Sequence, residues 1–234
     1  MGMKNLLFAN TVNCKLLKKT IQDLGATEVN FGDVSVGMAE ELSHMSNAIS
    51  IAIKHPPVMA QDATTYPFIK LSMAVDHRLL EIQGLITNLI RDQGWHVLAI
   101  PPDSYRHDSS FISKMYKLFP HKTAATCAGL GWVGKSSLLI NKNFGPRLSW
   151  ATILTDAPLD TENEPVKESH CGQCRLCVEA CPANAINDVH WKYTTSYHCM
   201  INVKRCAGQL QKNMERYGQY ACGVCMLVCP KGRK

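Results

Sequence analysis

Nine of the chain's eleven cysteines fall between Cys171 and Cys229, and their spacing constrains this protein more than any other feature. Four stand as Cys171-x-x-Cys174-x-x-Cys177-x-x-x-Cys181, followed by Pro182. Three thiolates from one tight loop cover one face of an iron–sulfur cube, while the fourth, displaced onto the helix that follows, points at a different cube. A second, partial copy reads Cys222-x-x-Cys225-x-x-x-Cys229-Pro230 and lacks one loop cysteine. The missing ligand must come from upstream, and Cys199 and Cys206 are the candidates. Two-cluster logic then gives one [4Fe–4S] set as Cys171, Cys174, Cys177 and Cys229. The other is Cys181, Cys222, Cys225 and one of the two upstream cysteines. Zinc also takes Cys-x-x-Cys, but usually as two separated pairs rather than three cysteines in seven residues ahead of Cys-Pro. A disulfide framework needs an oxidising compartment, and no targeting signal directs the chain to one.

The first 170 residues hold only Cys14 and Cys127 and read as alternating helices and strands. Leu17, Ile21 and Leu24 set a helix over Cys14–Leu24, with Gly25 as its stop. The β-branched run Ala48–Ile53 ends before Pro56-Pro57 and reads as a buried strand. Val75, Leu79, Ile82, Ile86 and Leu89 line one stripe of a long helix over Leu71–Gln93, which Gly94 closes. Trp95–Ile100 is a strand ending at Pro101-Pro102, and Ser136–Ile140 and Leu148–Leu154 are strand-like around a turn at Asn141–Pro146. The expectation is an α/β (α+β) domain over residues 1–160 and a small ferredoxin-like domain over 161–234. The segment Asp156–Ser169, rich in Pro, Asp, Glu and Thr, reads as the linker between them.

Composition excludes little beyond this. The 46% hydrophobic and 19% charged residues are ordinary for a globular protein. The longest apolar runs are far too short to span a bilayer, and no signal peptide or myristoylation pattern is evident, so a cytoplasmic protein is expected. The net charge of +6 is spread along the chain without an aromatic-interleaved basic stripe. An acidic redox partner suits it better than nucleic acid.

Gly129-Leu-Gly-Trp-Val-Gly134-Lys135-Ser136 matches the nucleotide phosphate-loop pattern. That loop works only with a strand before it and a helix after, so that amides and helix dipole face the phosphates. Here an alanine-rich, helix-like segment precedes and a strand and turn follow, so nucleotide hydrolysis is not expected. The three glycines instead imply a tight backbone path beside a ligand or another element. His121, Lys122 and Lys135 flank this turn and are candidates for an anionic cofactor edge or a proton. Tyr105, His107 and Asp108 form a polar cluster after a strand end. Cys127 and Trp132 read first as packing residues, with a reactive thiol and a stacking ring as the sharper alternatives. His190, Trp191 and Tyr197 are expected to pack around the clusters and limit water.

The stretch Lys122 to Lys135, then Leu138-Leu-Ile140, Thr155-Asp-Ala-Pro-Leu159 and the two cysteine motifs together resemble epoxyqueuosine reductase and the related cobalamin-dependent reductive dehalogenases. The resemblance covers roughly residues 45–230. Asn202-Val-Lys-Arg-Cys206 is similar to the family segment that carries the isolated cluster ligand, which favours Cys206. The family implies a nitroreductase-like α/β domain holding base-off cobalamin, fed with electrons through two [4Fe–4S] clusters, for reduction of a small-molecule substrate. It implies a cofactor site lined by Gly129, Gly131, Trp132, Gly134 and Lys135, and an external electron donor such as a ferredoxin or flavodoxin. FMN is the alternative cofactor, and a plain electron carrier the alternative function. The family's acidic segment before the glycine motif has no counterpart in Ser113-Lys-Met-Tyr-Lys117, and the helical-repeat extension used for tRNA is missing. Queuosine is therefore not the expected product; a different substrate, or electron relay alone, is expected.

Overall fold

The computed structural model describes residues 7–8, 11–36, 38, 40–57, 66–103, 119–218 and 220–233. The polar cluster of Tyr105, His107 and Asp108 and the segment Ser113–Lys117 lie outside them. The chain divides into two units. The first comprises residues 1–54, 75–130 and 149–166, and the second 55–74, 131–148 and 167–234. This division differs from the expected boundary near residue 160, because residues 131–148 fold with the cysteine-rich segment. The presumed linker is not one: up to Val166 it belongs to the first unit, with the Val166 amide on the Thr126 carbonyl (2.9 Å) and Ala157 wholly buried.

The first unit is a mixed α/β structure around a four-stranded sheet. Its strands are β3 (Glu28–Asp33), β4 (Asn47–Lys54), β5 (Val97–Ile100) and β8 (Leu148–Thr155), in the order β3-β4-β8-β5. β3 runs antiparallel to β4, with Val29 opposite Ile51, and β5 antiparallel to β8, with Ile100 opposite Thr152. A two-residue pair, β1 (Leu7–Phe8) with β2 (Thr11–Val12), precedes it. Side chains alternate across a strand, and the two faces bury different helices. Ile49, Ile51, Ala151 and Ile153 pack with Leu17 and Ile21 of α1 (Cys14–Asp23) and with Leu79, Ile82 and Ile86 of α2 (Tyr66–Arg91). Ala48, Leu154 and Ile100 face the other way, onto Ala124 of α3 (His121–Cys127) and Phe119. Each buried aliphatic side chain contributes roughly 1.5–3 kcal/mol.

Buried polar groups tie the layers. Gln83 of α2 is 1% exposed and donates its Nε2 to the carbonyls of Ile100 (2.7 Å) and Thr152 (2.8 Å). His121 is buried, with Nδ1 at 2.8 Å from the Thr152 hydroxyl and Nε2 at 2.9 Å from the Pro101 carbonyl. A carbonyl only accepts, so Nε2 carries the proton, and this histidine is a structural tie between α3 and the sheet end.

The second unit holds the hairpin of β6 (Trp132–Val133) with β7 (Leu139–Ile140), and four helices. These are α4 (Leu176–Glu179), α5 (Tyr197–Met200), α6 (Val203–Tyr217) and α7 (Val224–Leu227). The expected strand over Ser136–Ile140 shrinks to two residues because Ser137 sits at φ 59 in a turn closed by the Leu138 carbonyl on the Gly134 amide (2.8 Å). Its partner is β6 rather than β8, a hairpin that Trp132-Val133 was too short to signal. The turn after it is present, bridged between Asn141 and Gly145.

Gly32 of β3 lies against the helix that leads into the glycine motif. A β-carbon there would stand 2.6 Å from the Ala128 amide nitrogen and 2.8 Å from the Cys127 carbonyl carbon. Gly32→Ala is expected to destabilise the protein by about 1–3 kcal/mol through overpacking. Urea unfolding checks this, and an unchanged midpoint refutes it.

Candidate metal centre

The glycine motif leaves α3 and ends in the β6–β7 hairpin, so helix precedes and strand follows, the reverse of a phosphate loop. Its glycines answer to backbone contact. A β-carbon on Gly131 would lie 2.3 Å from the Ile140 carbonyl oxygen. One on Gly134 would lie 2.7 Å from Ile140 Cγ1 and 3.4 Å from Cys171 Sγ. With no side chain at 134, the turn closes down on the first cysteine of the long motif.

Gly134, Lys135, Ser136 and Ile140 share a small cavity of about 40 Å³ with Cys171, Cys174, Cys177, Cys225 and Cys229. The local fold delivers each sulfur from a short loop or turn: Cys177 on α4, Cys225 on α7, and Cys206 in the first turn of α6, which Asn202 caps by accepting from the Arg205 amide (3.0 Å). Electrostatic proximity sorts the thiols further. Cys177 is perturbed by Cys171, Cys229 and Cys174, and Cys229 by Cys171 and Cys174. Cys206 is perturbed by Cys222 and Cys181. Cys225 is perturbed most by Cys222, and also by Cys206, Cys181 and, from the other group, Cys177. Cys199 is exposed on α5, and none of these perturbed thiols counts it among its neighbours.

Burial, the largest cause, pushes the Cys177 thiol to about 11 and the Cys225 thiol to about 12, and the neighbouring sulfurs add to it. Thiolates gathered in such a place need cationic compensation, which iron supplies. Among the described residues, no three His, Cys, Asp or Glu side chains come together as a site for one ion. A tetrahedral zinc, at about 2.3 Å from each sulfur, needs that convergence; a cube holds its thiolates at separate corners. The donor set fits clusters rather than zinc.

Charged groups surround the first set, and sequence reasoning missed most of them. Lys135, expected at a cofactor edge or in solvent, is 3% exposed and pairs with Asp188 at 2.8 Å. Asp188 also pairs with Arg175, which sits in the cluster loop between Cys174 and Cys177. The Lys135 hydrogen bond, the first cause, holds the Asp188 carboxyl below the usual carboxylate range. Arg147 donates to the carbonyls of Cys229 (3.1 Å), Met226 (3.4 Å) and Lys231, clamping the loop of the last ligand. The Asn187-Asp188 pair was a legible turn signal, and Asp188 adopts φ 59. Nothing in the sequence marked Arg147.

Other candidates fall elsewhere. Trp132 is buried, with its ring centroid 5.0 Å from that of His170, and its indole Nε1 has no hydrogen-bond partner. Trp191 is buried as expected, but His190 and Tyr197 are exposed, so they shield nothing. Cys127 packs half-buried in the core beneath α3, where burial, chiefly, raises its pKa.

Residues 170–232 match the family model of the 4Fe-4S double cluster binding domain. The chain is 37% identical over 112 residues to the epoxyqueuosine reductase of Cyclobacterium marinum, covering 47% of this chain and 36% of that one. It is 34% identical over 117 residues to the Escherichia coli enzyme, covering 45% of this chain and 28% of that one. The match thus spans about a third of these relatives' length. In three dimensions the chain is similar to a catabolic reductive dehalogenase, with TM-score 0.75, 23% identity, and coverage of 100% of this chain and 34% of that one. Against epoxyqueuosine reductase from Streptococcus thermophilus the TM-score is 0.59 at 19% identity, covering 95% and 67%. The chain is thus similar to these enzymes over part of its sequence and shares their fold. No helix among the described residues is long and apolar enough to cross a membrane.

The raised thiols make stability pH-dependent. Cys177 and Cys225 stay protonated in the folded, cluster-free protein above the ordinary value of 9.0, where the unfolded chain's thiols ionise. A raised folded pKa contributes stability that is full below the unfolded value and is lost as pH rises towards the folded one. The urea midpoint of cluster-free protein is therefore expected to fall as pH climbs above about 9. A midpoint that rises over that range contradicts the burial of these thiols.

Proposed function

We propose that this relative of the epoxyqueuosine reductases is an iron–sulfur oxidoreductase that carries electrons through two [4Fe–4S] clusters to a bound cofactor. One observation carries the reading: Cys171, Cys174 and Cys229 act on Cys177, and Cys222, Cys206 and Cys181 act on Cys225 together with Cys177, so each prospective set draws members from both cysteine motifs. Cys171, Cys174, Cys177 and Cys229 would hold the first cluster. Cys181, Cys206, Cys222 and Cys225 would hold the second, with Cys206 rather than Cys199 completing it. Such clusters supply reversible one-electron transfer, and protein charge and burial around the sulfurs set its potential.

The chain's own residues do the rest. The Gly131–Ile140 contact fixes the turn over Cys171, Arg147 holds the Cys229 loop, and Asp188 ties the turn to the loop through Lys135 and Arg175.

Cobalamin is the cofactor this reading favours, because the chain shares its fold with a reductive dehalogenase for which B12-dependent dehalogenation has been put forward. The five motif residues are held by the protein itself. Gly129, Gly131 and Gly134 pack against other elements, and Trp132 and Lys135 are buried. They would meet a corrin through the backbone of the turn rather than through side chains. On this reading residues 1–160 form a nitroreductase-like cofactor domain, the donor is a small acidic redox protein, and the substrate is a small molecule. The whole chain then works in the cytoplasm. The rival reading, an electron carrier with no chemistry of its own, shares the clusters and lacks the cofactor.

Two measurements test this. Cys206→Ser is expected to lose about half of the reconstituted iron, while Cys199→Ser keeps it; the opposite pattern overturns the ligand assignment. Titration of the anaerobically reconstituted protein with cobalamin, followed by absorbance, is expected to give stoichiometric binding with a base-off spectrum. No spectral change, with both clusters intact, favours the electron carrier.

A further inference from the structure

Positive charge is distributed unequally between the two cysteine groups. Lys135 lines a cavity with all four cysteines of the first group and, from the second, Cys225 alone, and its side chain is 4% exposed. Lys231 lines the same cavity, and the Arg147 guanidinium lies 3.1 Å from the Cys229 carbonyl. Cys181, Cys206 and Cys222 of the second group do not line it. Arg205, near that group in sequence, is exposed and spends its guanidinium on the Asn184 carbonyl at 3.2 Å.

A buried lysine is rare unless something requires it. Packing alone does not require one at 135, where an apolar side chain of similar length would fill the space. The ammonium instead sits beside a cavity where electrons would arrive. Adding an electron to a cluster adds negative charge, and a cation in a poorly screened surround stabilises the reduced form far more than a surface cation does. Asp188 opposes that effect while holding the lysine in place, with Arg175 as its second partner.

We propose that the Lys135–Asp188 pair sets unequal potentials in the two clusters, with Lys135 making the cluster of Cys171, Cys174, Cys177 and Cys229 the easier to reduce and Asp188 limiting the difference. This rests on the ligand sets given above. Lys135 and Asp188 are positioning residues that act on the cluster through charge. The step they bias is one electron leaving the second cluster, which is oxidised, and entering the first, which is reduced; no bond or proton changes hands. A low-potential one-electron donor refills the second cluster. The electron thus comes to rest beside the glycine turn.

The test is a redox titration of the full chain with dithionite and mediators, followed by electron paramagnetic resonance, with iron and sulfide counted in every sample. The wave missing from Cys206→Ser identifies the second cluster. Lys135→Gln is expected to make the first cluster at least tenfold harder to reduce, which is 59 mV for a one-electron couple. Asp188→Asn is expected to move it the other way, and Lys135→Arg, which keeps the charge, to leave it in place. The second wave stays put in all three. A purely structural pair would lose cluster in both Lys135→Gln and Asp188→Asn without opposite shifts. Equal or absent shifts with full iron content overturn the inference alone. A wild-type chain holding fewer than two clusters overturns the ligand assignment and this inference with it.

Discussion

Crowding thiols into a dry cavity is the constraint on which the second unit depends. As thiolates they repel one another, and as thiols they are poor ligands, so burial that pushes Cys225 to about 12 works against metal binding until iron arrives. The protein resolves this mechanically. The glycine turn is pinned by the Ile140 carbonyl, the Cys229 loop by Arg147, and the Cys174–Cys177 loop by the Arg175–Asp188 pair. Held in place from three sides, the sulfurs stay gathered as neutral thiols, ready to lose their protons to a metal.

The same glycine motif shows how letters and mechanism separate. Its pattern satisfies a phosphate loop, yet no helix follows to present amides to an anion. What the glycines do is admit backbone: the Ile140 carbonyl against position 131, and Cys171 Sγ near position 134. Lys135, which a phosphate loop would extend to a ligand, is folded inward onto Asp188. The turn therefore carries charge to the metal site rather than to a nucleotide.

Much of this was legible. The long helix was visible because Leu79, Ile82 and Ile86 repeat at its period, and β4 because six apolar or small residues run unbroken to Pro56. The two cysteine sets were read from spacing alone, apart from the choice of Cys206, which needed the family resemblance, and they remain a proposal. What stayed hidden was non-local. β3 contains Asn30, Gly32 and Asp33 and lacks a clean strand pattern; its pairing with β4 and the backing of α3 make it a strand. Asp188 and Arg147 act on partners far away in sequence, and local propensity has no view of those. Asp156–Ser169 read as a linker because its composition is polar, although backbone and side-chain hydrogen bonds, such as Asn163 Nδ2 to the Phe31 carbonyl at 3.1 Å, hold it to the first unit.

Gly145 and Gly232 meet back to back: a β-carbon on the first would fall 2.0 Å from the Lys231 carbonyl oxygen, and one on the second 2.2 Å from the Phe144 carbonyl carbon. One of these peptides is made long after the other on the ribosome. The turn at 141–145 therefore leaves the exit tunnel with one side bare and waits for the stretch around residue 232 to cover it. Cys229 travels in that same stretch, so the first cysteine group is incomplete until it has been made. Iron delivered early would meet only part of its cage. Timing of cofactor insertion is thereby written into the distance between two glycines.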